Sequence, residues 1–208
     1  NNVELIERIL SLKERRKAVI LAHNYQLGEV QDIADFVGDS LELSQNAAKT
    51  NAKVIVFCGV HFMAETASTL CPDKIVLLPD MHAGCPMADM ITAEELRQRK
   101  RELPSATVVC YINSSAEVKA ESDICCTSAN AVKVIESLDA NEILFVPDYY
   151  LGSYLKSKTN RKIHLWKGYC PAHVAIIPEL VERAIDEHPE AELLIHPECG
   201  CTTKQMHM

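Results

Sequence analysis

The sequence lacks long apolar runs, an excess of positive charge and segments of low complexity. No apolar stretch approaches the ~18 residues that a membrane-spanning helix needs. Lys and Arg total 21 against 29 Asp and Glu, and a formal net charge of −8 argues against binding to a nucleic-acid backbone. The start, Asn1-Asn2-Val3-Glu4, is acidic where a signal peptide is basic. We therefore expect a cytoplasmic protein with no membrane and no nucleic-acid partner.

Cysteine, in contrast, is abundant, with 9 residues in a chain of 208. Small secreted domains use many cysteines as a disulfide framework, but this chain is larger and shows no export signal. Buried cysteine often acts as a small hydrophobic side chain, and we expect this of roughly five or six of them. The remaining cysteines have to be judged by their positions.

Three segments of the chain share one layout, in which an amphipathic helix is followed by a β-branched strand and a polar cluster. The polar clusters begin at His23, Tyr111 and His196, which are 88 and 85 residues apart. The predicted strands Val54–Cys58 and Glu142–Val146 keep the offset of 88 residues. Matches that recur in order at one offset indicate an internal duplication.

Polar residues precede the predicted helices of these repeats. Ser40 and Ser128 lie 88 residues apart, and each opens a segment of helical apolar periodicity. Because a serine hydroxyl can accept a hydrogen bond from the free N–H groups of the first turn, we predict both as N-caps. In the second repeat, Thr92 and Glu95 have the spacing of a capping box.

Strands that alternate with helices at this rhythm predict an α/β fold with mainly parallel sheets. We predict three-layer α/β/α repeats over residues 1–90 and 91–175, and the beginning of a third over residues 176–208. Repeats arranged about a pseudo-threefold axis would turn the carboxyl ends of their strands toward one central cavity. At this spacing the third repeat is incomplete.

Two Cys-Pro pairs keep the phase of the repeats. Cys85 and Cys170 lie 85 residues apart, and a third equivalent position would fall beyond Met208. Three thiolates from equivalent loops suit a metal centre that keeps one coordination site open. Both catalytic zinc and a [4Fe–4S] cluster with one free iron satisfy that description, and the spacing does not choose between them.

Longer motifs resemble those of the quinolinate synthase family, also called quinolinate synthetase A, over essentially all 208 residues. The motifs that carry the resemblance are Ala22-His23-Asn24-Tyr25-Gln26, Gln31-Asp32-Ile33-Ala34-Asp35-Phe36-Val37-Gly38-Asp39-Ser40-Leu41, Gly59-Val60-His61-Phe62-Met63-Ala64-Glu65, Cys85-Pro86-Met87-Ala88, Tyr111-Ile112-Asn113-Ser114-Ser115, Cys126-Thr127-Ser128-Ala129-Asn130-Ala131-Val132, Pro147-Asp148 with Leu151-Gly152, and His196-Pro197-Glu198-Cys199.

The resemblance implies an enzyme of NAD biosynthesis, a transferase that condenses iminoaspartate (iminosuccinate) with dihydroxyacetone phosphate to quinolinate, phosphate and water. It implies a [4Fe–4S] cluster whose open iron acts as a Lewis acid. Cys85 and Cys170 match two cluster cysteines, and the third is expected beyond Met208. It also implies a functional link to an L-aspartate oxidase or an aspartate dehydrogenase.

The resemblance further assigns roles to single residues. It implies that His23 and His196 bind substrate carboxylates or the phosphate. Ser40 and Ser128 stand at predicted helix N-termini, where free N–H groups favour the same anions.

Tyr111 and Asn113 are expected to form hydrogen bonds with the iminoaspartate portion of the substrate. Tyr25 and Glu198 are candidates for general acid–base catalysis, with His196 beside Glu198 as a tuned pair. His173, three residues after Cys170, is expected either beside the cluster or exposed.

Two other functions remain open from the residues alone. A non-catalytic α/β ligand-binding protein would bury its cysteines and keep its binding site after Cys85→Ala and Cys170→Ala. A zinc hydrolase would use the same thiolates, and metal analysis would find zinc without acid-labile sulfide.

We expect the 208-residue chain by itself to hold no stable cluster and to have negligible activity, because it supplies two of three cluster thiolates. The iron and sulfide content of protein purified without oxygen, read beside its intact mass, tests this expectation. Robust quinolinate formation by the chain would contradict it.

Overall fold

The computed structural model of the chain describes residues 2–201. The chain divides into two compact units, residues 1–85 and 86–208. The described part of 176–208 groups with the second unit, and residues 202–208 of the predicted third repeat lie outside the described residues. The division into three repeats at 1–90, 91–175 and 176–208 stays a prediction.

The first unit is a four-stranded parallel sheet with helices between its strands. The strand order is β2-β1-β3-β4, so the first strand is internal. Its elements are α1 (Asn2–Arg16), β1 (Ala18–His23), α2 (Gly28–Gln31), β2 (Phe36–Gly38), α3 (Ser40–Lys49), β3 (Val54–Cys58), α4 (His61–Leu70) and β4 (Ile75–Leu77).

The second unit repeats this arrangement with the strand order β6-β5-β7-β8, again all parallel. After a 3-10 turn at Ala88–Met90, its elements are α5 (Ala93–Glu102), β5 (Thr107–Tyr111), α6 (Ala116–Ala120), β6 (Ile124–Cys126), α7 (Ala131–Ser137), β7 (Glu142–Val146), α8 (Tyr149–Lys158), β8 (Lys162–Leu165), α9 (Pro171–Val174) and α10 (Pro178–Glu187). Among the described residues, no helix combines the length and the apolar character needed to cross a membrane.

The first three strands of the two sheets pair in the same register. Val19 lies opposite Ile55 in the first sheet, and Thr107 lies opposite Ile143 in the second, so both partners shift by the predicted 88 residues. The predicted α/β fold with parallel sheets is confirmed. The predicted bounds of β3 and β7 are those observed.

In the second unit, helices cover both faces of the sheet, because strand side chains alternate between two sides. One face packs against α5 and α6 in a buried cluster of Ile91, Leu96, Val108, Cys110, Val118, Leu144 and Val146. On the other face, α8 approaches so closely that a Cβ on Gly152 would stand 2.7 Å from a methyl of Leu165 and 2.9 Å from the ring of Phe145. A three-layer unit with a sheet buried on both faces results.

In each sheet an aspartate fastens one edge strand, β2 or β6, to the internal strand beside it. The Asp35 carboxylate accepts a hydrogen bond from the N–H of Ile20 at 2.8 Å, and the Asp123 carboxylate accepts one from the N–H of Val108 at 2.7 Å. In return, the backbone N–H of each aspartate donates to the carbonyl of the same central residue. The two pairs are again 88 residues apart, which explains why aspartate recurs at that offset.

The N-cap predictions for Ser40 and Ser128 are wrong. Asp39 caps α3, and its carboxylate accepts from the N–H groups of Leu41 and Glu42 in a capping box, which leaves Ser40 as the first helical residue. A carboxylate also complements the helix dipole. Ser128 lies in a turn before α7, whose N-cap is Asn130.

The turn that holds Ser128 is closed by Asn130, whose side-chain oxygen accepts from both the N–H and the hydroxyl of Thr127. The helix therefore begins only at Ala131. The capping box predicted at Thr92 and Glu95 is confirmed.

The strand predicted before His196 is absent from the described residues. Residues 192–196 form neither helix nor strand, and Leu194 is 85% exposed. In the other repeats the equivalent strand is internal and pairs with a neighbour on each side. A strand is defined by such pairing, and no neighbouring strand of a third sheet exists among residues 2–201.

We expect Asp123→Ala to lower the free energy of unfolding of the second unit by roughly 1–3 kcal/mol, because the N–H of Val108 loses its partner. Denaturant unfolding followed by the fluorescence of the single Trp166 measures this, since that residue lies in the second unit. Asp139→Ala is the matched control, because the exposed Asp139 side chain forms no hydrogen bond within the described part of the chain. Equal stability of both variants would contradict the role of Asp123.

Candidate functional site

The polar clusters found in the sequence lie at the carboxyl ends of central strands. His23 is the last residue of β1, and Tyr111 is the last residue of β5. In a parallel sheet all strands end at the same edge, where loops can converge on a ligand. Each unit therefore presents one edge with polar side chains.

In the first unit, His23 is buried, with 6% exposure, and Tyr25 is 81% exposed. The N–H of Tyr25 donates to His23 Nδ1 at 3.2 Å, so the proton of a neutral His23 ring is on Nε2. The two rings lie 4.6 Å apart. Burial lowers the pKa of His23, and the negative charge of Asp39 opposes this effect.

Ser40 and Cys85 lie at other points of the same unit. Ser40 opens α3 directly after β2, and Cys85 is a half-buried thiol in the loop after β4. Of the predicted site residues in the first unit, His23 and Tyr25 are joined by the hydrogen bond and ring contact just described. Whether Cys85 and Cys170 approach each other stays a prediction.

In the second unit, four predicted site residues come together, namely Tyr111, Ser128, His196 and Glu198. His196 Nε2 lies 3.1 Å from the Ser128 hydroxyl, and the N–H of Glu198 donates to His196 Nδ1 at 3.3 Å. The Tyr111 hydroxyl is near enough to the Glu198 carboxyl group and the Ser128 hydroxyl for both to shift its pKa. The structure thus brings these four residues together, and their roles stay a prediction.

These contacts fix the direction of the hydrogen bonds. Because His196 Nδ1 accepts, its proton is on Nε2 and points to the oxygen of Ser128. The Ser128 hydroxyl lowers the pKa of Tyr111, as a donor to the phenol oxygen does, whereas the hydrogen bond to Glu198 raises it. Burial is the largest cause and raises the pKa of Tyr111 well above its ordinary value. Neighbouring proton donors and acceptors therefore lead from His196 through Ser128 and Tyr111 to Glu198.

His23 and His196 also share their local backbone geometry. Each accepts, through Nδ1, the N–H of the residue two positions later. Each carbonyl accepts the N–H of the residue three positions later, at 2.9 Å in both turns. The equivalence of their positions in the repeats is supported by this shared turn.

Glu198, the acid of this cluster, is buried, with 2% exposure. Burial raises its pKa, and the hydrogen bond from Tyr111 partly offsets this. His173 Nδ1 lies 2.8 Å from Glu198 Oε2, and the His173 ring stacks on that of His196 with centroids 5.0 Å apart. Burial lowers the pKa of both rings, and the neighbouring His173 lowers that of His196 further.

His173 was expected either beside a metal centre or exposed. It lies in contact with the side chains of Glu198 and His196. The signal was its spacing from Cys170, because residues three apart share one face of a helix. Cys170 is the N-cap of α9, and His173 lies within that helix. Asn113 is half-buried in the turn two residues after Tyr111, and its role stays a prediction.

Asp148 is a buried site residue that the sequence analysis did not single out as functional. It is 0% exposed, caps α8 through a hydrogen bond from the N–H of Leu151, and lies close enough to Glu198 for the two charges to interact. Burial raises its pKa to about 7, against an ordinary value of 3.8. The sequence places Asp148 between an apolar strand and a helix. That position could have identified it as an N-cap, because aspartate is preferred there.

The loop that carries Cys170 is held against the Asp148 loop. Asp148 and Gly168 form an isolated parallel bridge, and the N–H of Tyr149 donates to the Gly168 carbonyl at 2.8 Å. A Cβ at Gly168 would stand 2.5 Å from the Pro147 carbonyl oxygen, so only glycine allows this approach. The half-buried Cys170 thiol is thereby placed beside the buried acids.

The donor atoms fit a metal centre. Cys170, His173 and Glu198 each offer a ligand atom, and these atoms all lie within 4.8 Å of one another. Cys85 and Cys170 are both incompletely buried and follow the fourth strand of their sheets, as equivalent ligands from repeated units would. Thiolates are the usual ligands of iron–sulfur clusters, so these two residues fit a cluster by donor chemistry.

The fold and the site define a chain of repeated parallel α/β units with thiol, imidazole and carboxyl groups at the strand ends. Residues 7–207 match the family model described as quinolinate synthetase A protein. The chain therefore belongs to the quinolinate synthetase A family.

Individual relatives agree with the family model. The chain is 63% identical over 196 residues to the quinolinate synthase of Dehalococcoides mccartyi strain CBDB1, a match that covers 94% of this chain and 65% of the relative. It is 61% identical over 196 residues to that of Methanosarcina barkeri, with 94% and 64% covered. The match to that of Geobacter sp. strain M21 is 60% over 192 residues, with 92% and 63% covered. The chain thus spans just under two thirds of the length of these relatives.

We expect the free energy of unfolding of the second unit to fall as pH rises from about 4 to about 7, because the folded state keeps the Asp148 proton that the unfolded chain releases. In Asp148→Asn this fall should be smaller, by on the order of a few kcal/mol. Denaturant titrations at several pH values, read by Trp166 fluorescence, measure the difference. Asp186→Asn, on the exposed part of α10, controls for the lost charge, and an unchanged slope in Asp148→Asn would contradict the prediction.

Proposed function

We propose that the protein containing this chain is a quinolinate synthase of de novo NAD biosynthesis, which condenses iminoaspartate (iminosuccinate) with dihydroxyacetone phosphate to quinolinate, phosphate and water. The relatives that carry this name match nearly the whole chain. The convergence of Tyr111, Ser128, His196 and Glu198 at one strand edge supports the activity most directly. We place the enzyme in the cytoplasm.

The substrates carry two carboxylates and a phosphate, and the site offers neutral donors to such anions. A neutral His196 carries its proton on Nε2 at the Ser128 hydroxyl, so an anion that enters there can take over this hydrogen bond. His23 presents the same tautomer at the edge of the first unit. Tyr111 ends β5 and Asn113 follows it, where both could form hydrogen bonds with iminoaspartate, and the Ser40 hydroxyl at the start of α3 is a further neutral donor.

Ring closure requires protons to move, and Glu198 is suited to this task. Burial raises the pKa of this carboxyl group, so it holds a proton to higher pH than an exposed glutamate does and can release it to a neighbour. Tyr111, Ser128 and His196 extend the path along which a proton can travel. Tyr25 is exposed on a short turn and is a second candidate for proton transfer.

Cys85 and Cys170 would hold a [4Fe–4S] cluster together with a third cysteine. When bound, the cluster supplies an iron with an open coordination site that acts as a Lewis acid toward the substrate. An enzyme that oxidises aspartate to its imine must supply the first substrate, which fits an L-aspartate oxidase or an aspartate dehydrogenase as functional partner.

A chimera tests the activity. The chain is joined to the remaining third of the Dehalococcoides mccartyi relative, purified without oxygen and given dihydroxyacetone phosphate with iminoaspartate formed from oxaloacetate and ammonia. We expect quinolinate by liquid chromatography. His196→Ala and Glu198→Gln should each lower the turnover about 10²- to 10⁴-fold, because each removes a link of the proton path.

His188→Ala and Glu192→Gln are matched controls, because both residues are exposed and lie in the same region of the chain. Loss of activity only in the site variants supports the proposed roles. A chimera that contains iron and sulfide but makes no quinolinate would contradict the proposed function.

A further inference from the structure

Two cysteines of the second sheet lie side by side on neighbouring strands. Cys110 of β5 and Cys125 of β6 are direct partners in the parallel register, and both are free thiols. Directly paired residues of a parallel sheet place their side chains on the same face, with Cα atoms roughly 4.8 Å apart. A disulfide spans Cα distances of about 4.4–6.8 Å. The strand pairing therefore holds the two sulfur atoms where a covalent bond can form.

The two thiols differ in their access to solvent. Cys110 is 0% exposed and belongs to the buried cluster that packs against α5 and α6. Cys125 lies on the edge strand of the sheet and is exposed. A dissolved oxidant therefore reaches Cys125 directly, whereas Cys110 reacts through its neighbour.

The surroundings also give the two thiols different charge states. The contact with Cys110 is the largest influence on the pKa of the Cys125 thiol and lowers it, while burial opposes this effect and the positive charge of Lys119 adds to it. The contact with Cys125 and burial raise the pKa of Cys110. Since the thiolate is the form that attacks an oxidant, Cys125 is the nucleophile of the pair and Cys110 remains a neutral thiol.

The first sheet shows that the fold does not require sulfur at these two places. The residues 88 positions earlier in the sequence are Ala22 and Val37, and they are direct partners on β1 and β2. The same register thus accommodates two apolar side chains. The paired cysteines are a property of the second sheet and not of the repeated architecture.

We propose that Cys125 and Cys110 form a redox-active dithiol that hydrogen peroxide converts to a disulfide. The Cys125 thiolate attacks one peroxide oxygen and the O–O bond breaks. The leaving hydroxide takes up the proton that Cys125 had released and becomes water, and a sulfenic acid remains on Cys125. The Cys110 sulfur then attacks the Cys125 sulfur, the S–O bond breaks, and the departing hydroxide takes the Cys110 proton as the second water. The two sulfurs lose two electrons in total, and one peroxide is reduced to two waters.

The neighbouring thiol makes this oxidation reversible. A disulfide is reduced again by thiol exchange, whereas a sulfenic acid without a partner proceeds to the irreversible sulfinic acid. The new bond would also tie β6 to β5, next to the hydrogen bond from the N–H of Val108 to the Asp123 carboxylate. The dithiol is independent of the proposed enzymatic function, because neither cysteine is a proposed cluster ligand or substrate-binding residue.

Peptide mapping of the oxidised protein tests the proposal. The whole 208-residue chain is reduced, freed of reductant without oxygen, treated with hydrogen peroxide, blocked with iodoacetamide and digested with trypsin. Trypsin separates residues 102–119, which contain Cys110, from residues 120–133, which contain Cys125 and Cys126. We expect mass spectrometry to find these two peptides joined by a disulfide in the monomeric chain, and dithiothreitol to separate them.

Matched variants assign the bond to single sulfurs. Cys110→Ala and Cys125→Val introduce the residues that the first sheet has at these places, and both should abolish the link. In Cys110→Ala, dimedone should label Cys125, because its sulfenic acid has no partner. Cys126→Ala is the control and should link as the parent chain does, because this adjacent residue is buried and points to the other face of the sheet. If Cys125→Val fails to fold by circular dichroism, Cys125→Ser replaces it with the same expected loss.

Unlinked peptides in the oxidised parent chain would overturn the proposal. A link that persists in a folded Cys125 variant, or that disappears in Cys126→Ala, would assign the reaction to Cys126 and overturn it as well. All of these results are peptide masses, and none depends on quinolinate formation. Failure of the dithiol and failure of the enzymatic function are therefore distinguishable.

Discussion

In each sheet the first strand lies between the second and the third, and parallel pairing holds all carboxyl ends at one edge. Side chains with chemical roles must therefore stand at the strand ends or in the loops that follow. His23 and Tyr111 end the two central strands, and Cys170 follows the fourth strand of its sheet. The shared register of the two sheets explains why a constant offset in the sequence corresponds to equivalent places in the fold.

Two buried acids at the carboxyl-end edge of its sheet lower the stability of the second unit. Glu198 and Asp148 are both nearly inaccessible, and burial raises the pKa of each. Two acids that interact in a poorly solvated place destabilise the fold when both are ionised. The same conditions make a carboxyl group useful, because it can exchange a proton near neutral pH. The core of the sheet, buried on both faces, supplies the stability that offsets this cost.

The sequence predicted the strands and their register well, because apolar runs and the repeat offset are local signals. It was less reliable at helix starts, where two nearby polar residues can each serve as the N-cap. Asp39 and Asn130 are the N-caps, and the predicted Ser40 and Ser128 are not. The strand predicted before His196 failed for a different reason, since pairing needs neighbours that its own residues do not provide. Burial of an acid such as Asp148 is a tertiary property, and spacing alone cannot reveal it.

Contacts within the second unit alone bring a thiol, an imidazole and a carboxyl group together. Cys170 and His173 are one helical turn apart, and His173 Nδ1 lies 2.8 Å from Glu198 Oε2, so the second unit orders all three side chains. The electrostatic requirement of Glu198, as much as the thiol of Cys170, therefore favours a cation at this edge.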